Sequence, residues 1–105
     1  MQDIRNVLSI DVEDWFQVEG FASVIPRDEW PAFELRVERN VDIILEEFAA
    51  ASTLGTFFVL GWVAEKLPRM VERIAQAGHE IASHGWSHAP VWRLTPEQFL
   101  DEVVR

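Results

Sequence analysis

The run Thr56-Phe57-Phe58-Val59-Leu60 is apolar on both faces, and this property restricts the fold more than any other in the chain. A strand with one wet face alternates apolar and polar residues. A strand apolar throughout must be covered on both sides, as happens in parallel sheets flanked by helices. Two further short runs fit the same sheet. Val7-Leu8-Ser9-Ile10 leads into the acidic cluster Asp11-Val12-Glu13-Asp14, and His79-Glu80-Ile81-Ala82-Ser83 leads into His84-Gly85-Trp86-Ser87-His88.

Between these runs the periodicity turns helical. From Phe33 to Ala51, Leu35, Val37, Val41, Ile44, Leu45 and Phe48 recur near the 3.6 period, with Glu38, Asp42, Glu46 and Glu47 mostly on the outer face. Trp62 to Leu67 starts a second helix that Pro68 breaks or restarts, and Arg69 to Ala77 continues it with Gly78 as its C-cap. Thr95-Pro96-Glu97-Gln98 has the N-cap, first-turn proline and capping-box glutamine of another helix start. Trp15 to Pro31 shows no period, and Gly20, Pro26 and Pro31 punctuate a long loop expected to expose Trp15, Phe16, Phe21 and Trp30. The order strand, helix, strand, helix, strand, helix predicts one α/β domain with parallel strands, open or barrel-like. Both polar clusters follow strand ends, so a parallel sheet would deliver them to the same edge.

Composition removes several function classes. The 105 residues carry a net charge of −9 with one lysine, Lys66, which argues against tracking a phosphate backbone. With no cysteine there are no disulfides, thiolate ligands or cysteine nucleophiles, so any metal must be held by nitrogen and oxygen. The polar start Met1-Gln2-Asp3-Ile4-Arg5-Asn6 precedes an apolar run too short for a signal sequence, and no stretch approaches membrane-spanning length. A soluble, cytoplasmic protein is the expectation; no sequence feature sets its oligomeric state.

The paired histidines define the chemistry. At a spacing of four, the imidazoles of His84 and His88 can share one side of a helical turn or tight loop and reach a metal at about 2.0–2.1 Å. That spacing alone is a weak indication, since both can be ordinary polar loop residues, and an acidic trio is often only a solvated loop. Position after a strand strengthens both. Asp11 and Glu13 alternate onto one face, while Asp14 lies beyond the strand where a turn can redirect it. Either Glu13 or Asp14 can then be the third ligand, with Asp11 nearby as a base toward water.

The same residues carry a resemblance. Ser9-Ile10-Asp11-Val12-Glu13-Asp14 resembles the first motif of the polysaccharide deacetylases, the NodB-homology domain of carbohydrate esterase family 4, and His84-Gly85-Trp86-Ser87-His88 resembles the second. Gly55-Thr56-Phe57-Phe58-Val59-Leu60-Gly61 is similar to the intervening strand, and Gly78-His79-Glu80-Ile81-Ala82-Ser83-His84 to its approach to the histidines. The Asp-Val-Glu-Asp-Trp form is similar to the bacterial branch of exosortase-linked exopolysaccharide deacetylases and relatives of peptidoglycan deacetylases. The resemblance runs from about residue 7 to residue 100.

It implies a distorted (β/α) barrel and a hydrolase that removes N-acetyl groups from amino sugars in a carbohydrate polymer. Asp11 matches the catalytic base, His84 and His88 the metal ligands, and Asp14, with Glu13 as the alternate, the acidic ligand. The adjacent-aspartate form of the first motif is absent. The implied cofactor is a divalent metal, zinc first. The family's later motifs supply an arginine that holds the catalytic aspartate, an apolar acetate pocket and a histidine general acid. None has a counterpart here; His79 precedes the metal motif and is expected to make a structural contact. The chain therefore reads as the N-terminal portion of a single deacetylase domain. Two other readings stand beside it: an allantoinase-like hydrolase of a small cyclic amide, and a non-catalytic remnant that binds metal or glycan. Trp86 and Trp92 are read as packing residues before sugar-stacking ones.

Overall fold

A computed structural model describes residues 3–105, so Met1-Gln2 of the polar start lie outside it. Three parallel strands, β1 (Ser9–Val12), β2 (Thr56–Val59) and β3 (Glu80–Ser83), form one sheet in the order β1-β2-β3. Helix α1 (Val37–Ala50) joins β1 to β2; α2 (Gly61–Lys66) and α3 (Pro68–Gln76) join β2 to β3; α4 (Pro96–Val104) follows. The two-sided apolar run is the central strand. Phe57, Leu60, Val63, Met70 and Ile74 are fully buried with Val12, Val37, Val41 and Val59 around them. Withdrawing a side chain the size of Phe57 from water contributes about 1.5–3 kcal/mol.

The first strand begins later than Val7. Val7 is 86% exposed, and pairing starts at Ser9 opposite Thr56 because β2 itself begins there. The third starts at Glu80, not His79, whose buried ring lies against Phe57 and accepts the Gly55 N–H at Nδ1 over 3.0 Å. His79 thus makes the structural contact expected of it. Pro68 ends one helix and starts another, since it sits in the first turn of α3, where its missing N–H costs nothing. Gly78 takes φ +92° after α3, and Thr95 caps α4 in a reciprocal capping box with Gln98. Arg73 on α3 forks onto Asp42 and Glu38 of α1, and these carboxylates, Asp42 foremost, hold its guanidinium pKa above the ordinary range. All three side chains are more than a third exposed, so the link adds little stability.

The segment between β1 and α1 differs most from its sequence reading. It winds through three 3-10 turns, Trp15–Gln17, Glu19–Phe21 and Arg27–Ala32. Phe16 and Trp30, expected outside, are buried; Phe16 stacks on Phe33 at 5.1 Å, and both Phe16 and Trp30 meet Trp62 of α2 edge-on. Aromatic packing, invisible to a period search, folds this loop onto the sheet edge. Among the described residues no helix is long and apolar enough to cross a membrane.

Candidate metal centre

Register determines what meets at the sheet edge. Val12 pairs with Val59 and Val59 with Ser83, so the next residues on the outer strands, Glu13 and His84, leave the sheet at the same level. The ladder runs one step further, with Leu60 N donating to Val12 O at 3.2 Å and His84 N to Val59 O at 3.1 Å. The loop then turns sharply, Gly85 at φ +76° and His88 at φ +64°, which swings His88 back beside His84 with ring centroids 5.0 Å apart. Left-handed backbone is costly for a residue with a Cβ, and here a loop bonded on several sides holds it.

Those bonds come from four places. The first N–H groups of α2 reach the loop carbonyls, Gly61 N to Gly85 O at 2.7 Å and Trp62 N to Trp86 O at 3.1 Å. Glu102 of α4 accepts from Ser87 N and Ser87 Oγ, both at 2.9 Å. Arg27 Nε donates to Ser87 O at 3.2 Å. His88 Nδ1 lies 2.8 Å from Gln17 O, and because a carbonyl only accepts, Nδ1 is the donor, which in the neutral imidazole leaves Nε2 with its lone pair.

The free nitrogens face one carboxylate. His84 Nε2 is 3.4 Å from Glu13 Oε1, His88 Nε2 is 3.3 Å from Glu13 Oε2, and the three ligand atoms lie within 4.8 Å of one another. Two of these atoms, Glu13 Oε2 and His84 Nε2, are buried without a hydrogen-bond partner. Buried polar atoms left unpaired are costly. Two imidazole nitrogens and a carboxylate, converging with two of their atoms unpaired, fit a divalent cation. Asp11 shares the face of Glu13, as strand alternation predicts. Its carboxylate is 4.0 Å from His84 Nε2 and 59% exposed, beside the cluster and open to water.

Asp14 is not brought to this cluster. The backbone alternates once more after Glu13 and buries the Asp14 side chain toward the protein, 3% exposed. There Oδ1 accepts from Trp15 N at 2.9 Å, and Oδ2 accepts from Arg36 N at 2.7 Å and Val37 N at 3.0 Å. One carboxylate therefore caps both the first 3-10 turn and α1, with both oxygens engaged by backbone and the side chain outside the cluster of Glu13, His84 and His88. The expectation that Asp14 supplies the acidic ligand does not match this geometry; the alternate, Glu13, stands with the histidines. Sequence reasoning also passed over Gln17, Gly61 and Glu102, which hold the loop. One of these was legible: Asp14-Trp15-Phe16-Gln17 has capping-box spacing, and Gln17 Oε1 does accept from Asp14 N at 2.7 Å.

A three-stranded parallel sheet with paired histidines and a carboxylate meeting at the ends of its outer strands is a parallel α/β scaffold carrying a candidate divalent-metal centre. The family model described as polysaccharide deacetylase matches residues 28–105, and the chain belongs to that family. The match takes in both histidines and begins after the acidic cluster. A peptidoglycan-N-acetylglucosamine deacetylase of Bacillus cereus is 34% identical over 62 residues, 59% of this chain and 22% of that protein. A chitooligosaccharide deacetylase of a Bradyrhizobium species is 37% identical over 50 residues, 48% of this chain and 23% of that one. The solved structure of a peptidoglycan N-acetylglucosamine deacetylase, bound to an N-hydroxybenzamide, superposes on 93% of this chain and 36% of its own with a TM-score of 0.65, at 23% identity, a likeness of fold. The chain thus spans a minor part of each of these relatives, and the fold is that of the first β/α units of a NodB-type barrel.

Proposed function

We propose that these residues belong to a single deacetylase domain that hydrolyses N-acetyl groups from amino sugars in a carbohydrate polymer, with Glu13, His84 and His88 holding a divalent metal and Asp11 acting as base. The observation that carries this reading is the convergence of three ligand atoms within 4.8 Å, two of them buried and unpaired, in a chain of this family. A zinc ion bound there would polarise the acetyl carbonyl and stabilise the negative charge that develops on its oxygen. Asp11, open to solvent beside His84, takes a proton from the attacking water. The water oxygen bonds to the acetyl carbon, the C–N bond breaks as the nitrogen takes up a proton in balance with the one Asp11 removed, and acetate and a free amine result. His79 does not protonate that amine, because its ring is buried with its Nδ1 already bonded.

Relatives named for N-acetylglucosamine and chitooligosaccharide point to polymers or oligomers of that sugar. Nothing among them favours the cyclic-amide reading. The test uses the protein in its full reading frame, with zinc measured by equilibrium dialysis and acetate release from peptidoglycan and chitooligosaccharides. The wild type should hold about one zinc and the His84→Ala/His88→Ala double variant none; equal binding by both overturns the site. Asp11→Asn should abolish acetate release while keeping zinc. Zinc bound without acetate from any N-acetyl sugar would instead establish the binding-module reading.

A further inference from the structure

We infer that Trp92 is a sugar-stacking platform at the rim of the Glu13–His84–His88 site, so that the ligand bound there is a chain of pyranose rings and not an isolated amide; this rests on the deacetylase reading. The five tryptophans are not equivalent. Trp15, Trp30 and Trp62 pack edge-on within the aromatic cluster of the β1–α1 segment. Trp86 packs over Gly61, with the Arg105 guanidinium 4.7 Å from its ring. Among the described residues Trp92 has neither an aromatic nor a cationic partner, and it is 82% exposed. Both Trp86 and Trp92 are expected to pack; packing contacts of that kind are seen for Trp86.

Position supplies the rest of the argument. Trp92 lines a cleft of about 400 Å³ together with His84, His88, Pro90, Val91 and Glu19. It rides on a 3-10 turn, Val91–Arg93, which starts from Pro90 and closes through Arg93 N to Pro90 O at 3.0 Å and Leu94 N to Val91 O at 3.1 Å. Arg93 pairs with Glu19, which ties the turn to the β1–α1 segment across the cleft. The indole is therefore exposed on an anchored turn. A pyranose ring offers a face of C–H groups and a rim of hydroxyls; a flat indole covers the first, while the Glu19 carboxylate, also lining the cleft, offers an acceptor to the second. A ring stacked on Trp92 would place its neighbour in the chain toward the histidines.

The test compares wild type, Trp92→Ala and Trp92→Tyr in the full-length, zinc-loaded protein on N-acetylglucosamine and its β-linked oligomers, reading kcat and KM by acetate release. Trp92→Ala should raise KM for the tetramer about tenfold, with the loss in KM more than in kcat and smaller for the monomer, and Trp92→Tyr should recover most of it. A KM that does not respond at any length overturns the inference, as does a large fall in melting temperature with loss of zinc, which would mark the indole as covered by protein. If the wild type releases no acetate from any of these sugars, the deacetylase reading fails instead. Retention of the zinc-loaded proteins on insoluble chitin then decides: weaker retention of Trp92→Ala supports the platform, and equal retention overturns it.

Discussion

Glu13 and Asp14 are adjacent acids of nearly equal chemistry with opposite surroundings. Glu13 faces two imidazoles with an unpaired oxygen, whereas Asp14 spends both oxygens on backbone N–H groups. Their variants should therefore fail in opposite ways. Glu13→Gln, nearly isosteric, should change apo-protein stability by less than about 0.5 kcal/mol yet weaken zinc binding by more than about tenfold, as read by thermal melts and dialysis. Asp14→Ala strands three amide donors and should cost about 2–4 kcal/mol of stability, while the fraction still folded binds zinc. Strong zinc binding by Glu13→Gln would return the ligand role to another carboxylate. The sequence made Asp11, His84 and His88 legible because strand ends and spacing mark them. It did not separate Glu13 from Asp14, because the partners that claim Asp14, Arg36 and Val37, lie at the far end of a segment without periodicity.

At the scale of elements, α2 holds the histidine loop through its opening turn. Gly61 and Trp62 donate to the carbonyls of Gly85 and Trp86, and a Cβ at Gly61 would collide with the Trp86 ring. Gly61→Ala should thus push the loop away from β1 and lower zinc affinity, even though Gly61 touches no ligand atom. Measured by competition with a chromophoric chelator, a drop of about tenfold is expected; unaltered affinity would show that the loop is held well enough by Glu102 and Arg27. The strands, the helices and the cap at Thr95 were readable from apolar period and capping residues. Of the three 3-10 turns between β1 and α1 only the first carries a sequence mark, the capping box of Asp14 and Gln17; the order of that segment comes from the ring contacts of Phe16, Trp30, Phe33 and Trp62 across sequence distance.

The molecule as a whole presents a sheet in which β2 alone has a strand on either side. Along β3 a groove of about 640 Å³ opens between Val71, Ile81, Trp86 and Val103, with Ile81 37% exposed. Free strand edges beside apolar surface pair with other chains. The 105 residues expressed alone should therefore self-associate, seen as a mass that rises with concentration in light scattering; a monomer at all concentrations would show the edge to be adequately protected. The bond between His88 and Gln17 spans 71 residues of chain, and it carries a consequence in time. Synthesis at roughly 5–20 residues per second delivers Glu13 and Gln17 several seconds before the histidines leave the ribosome. Until β3 has aligned on β2, Glu13 and Gln17 lack the histidines they face, so a cation taken up at this site would close on a sheet already paired.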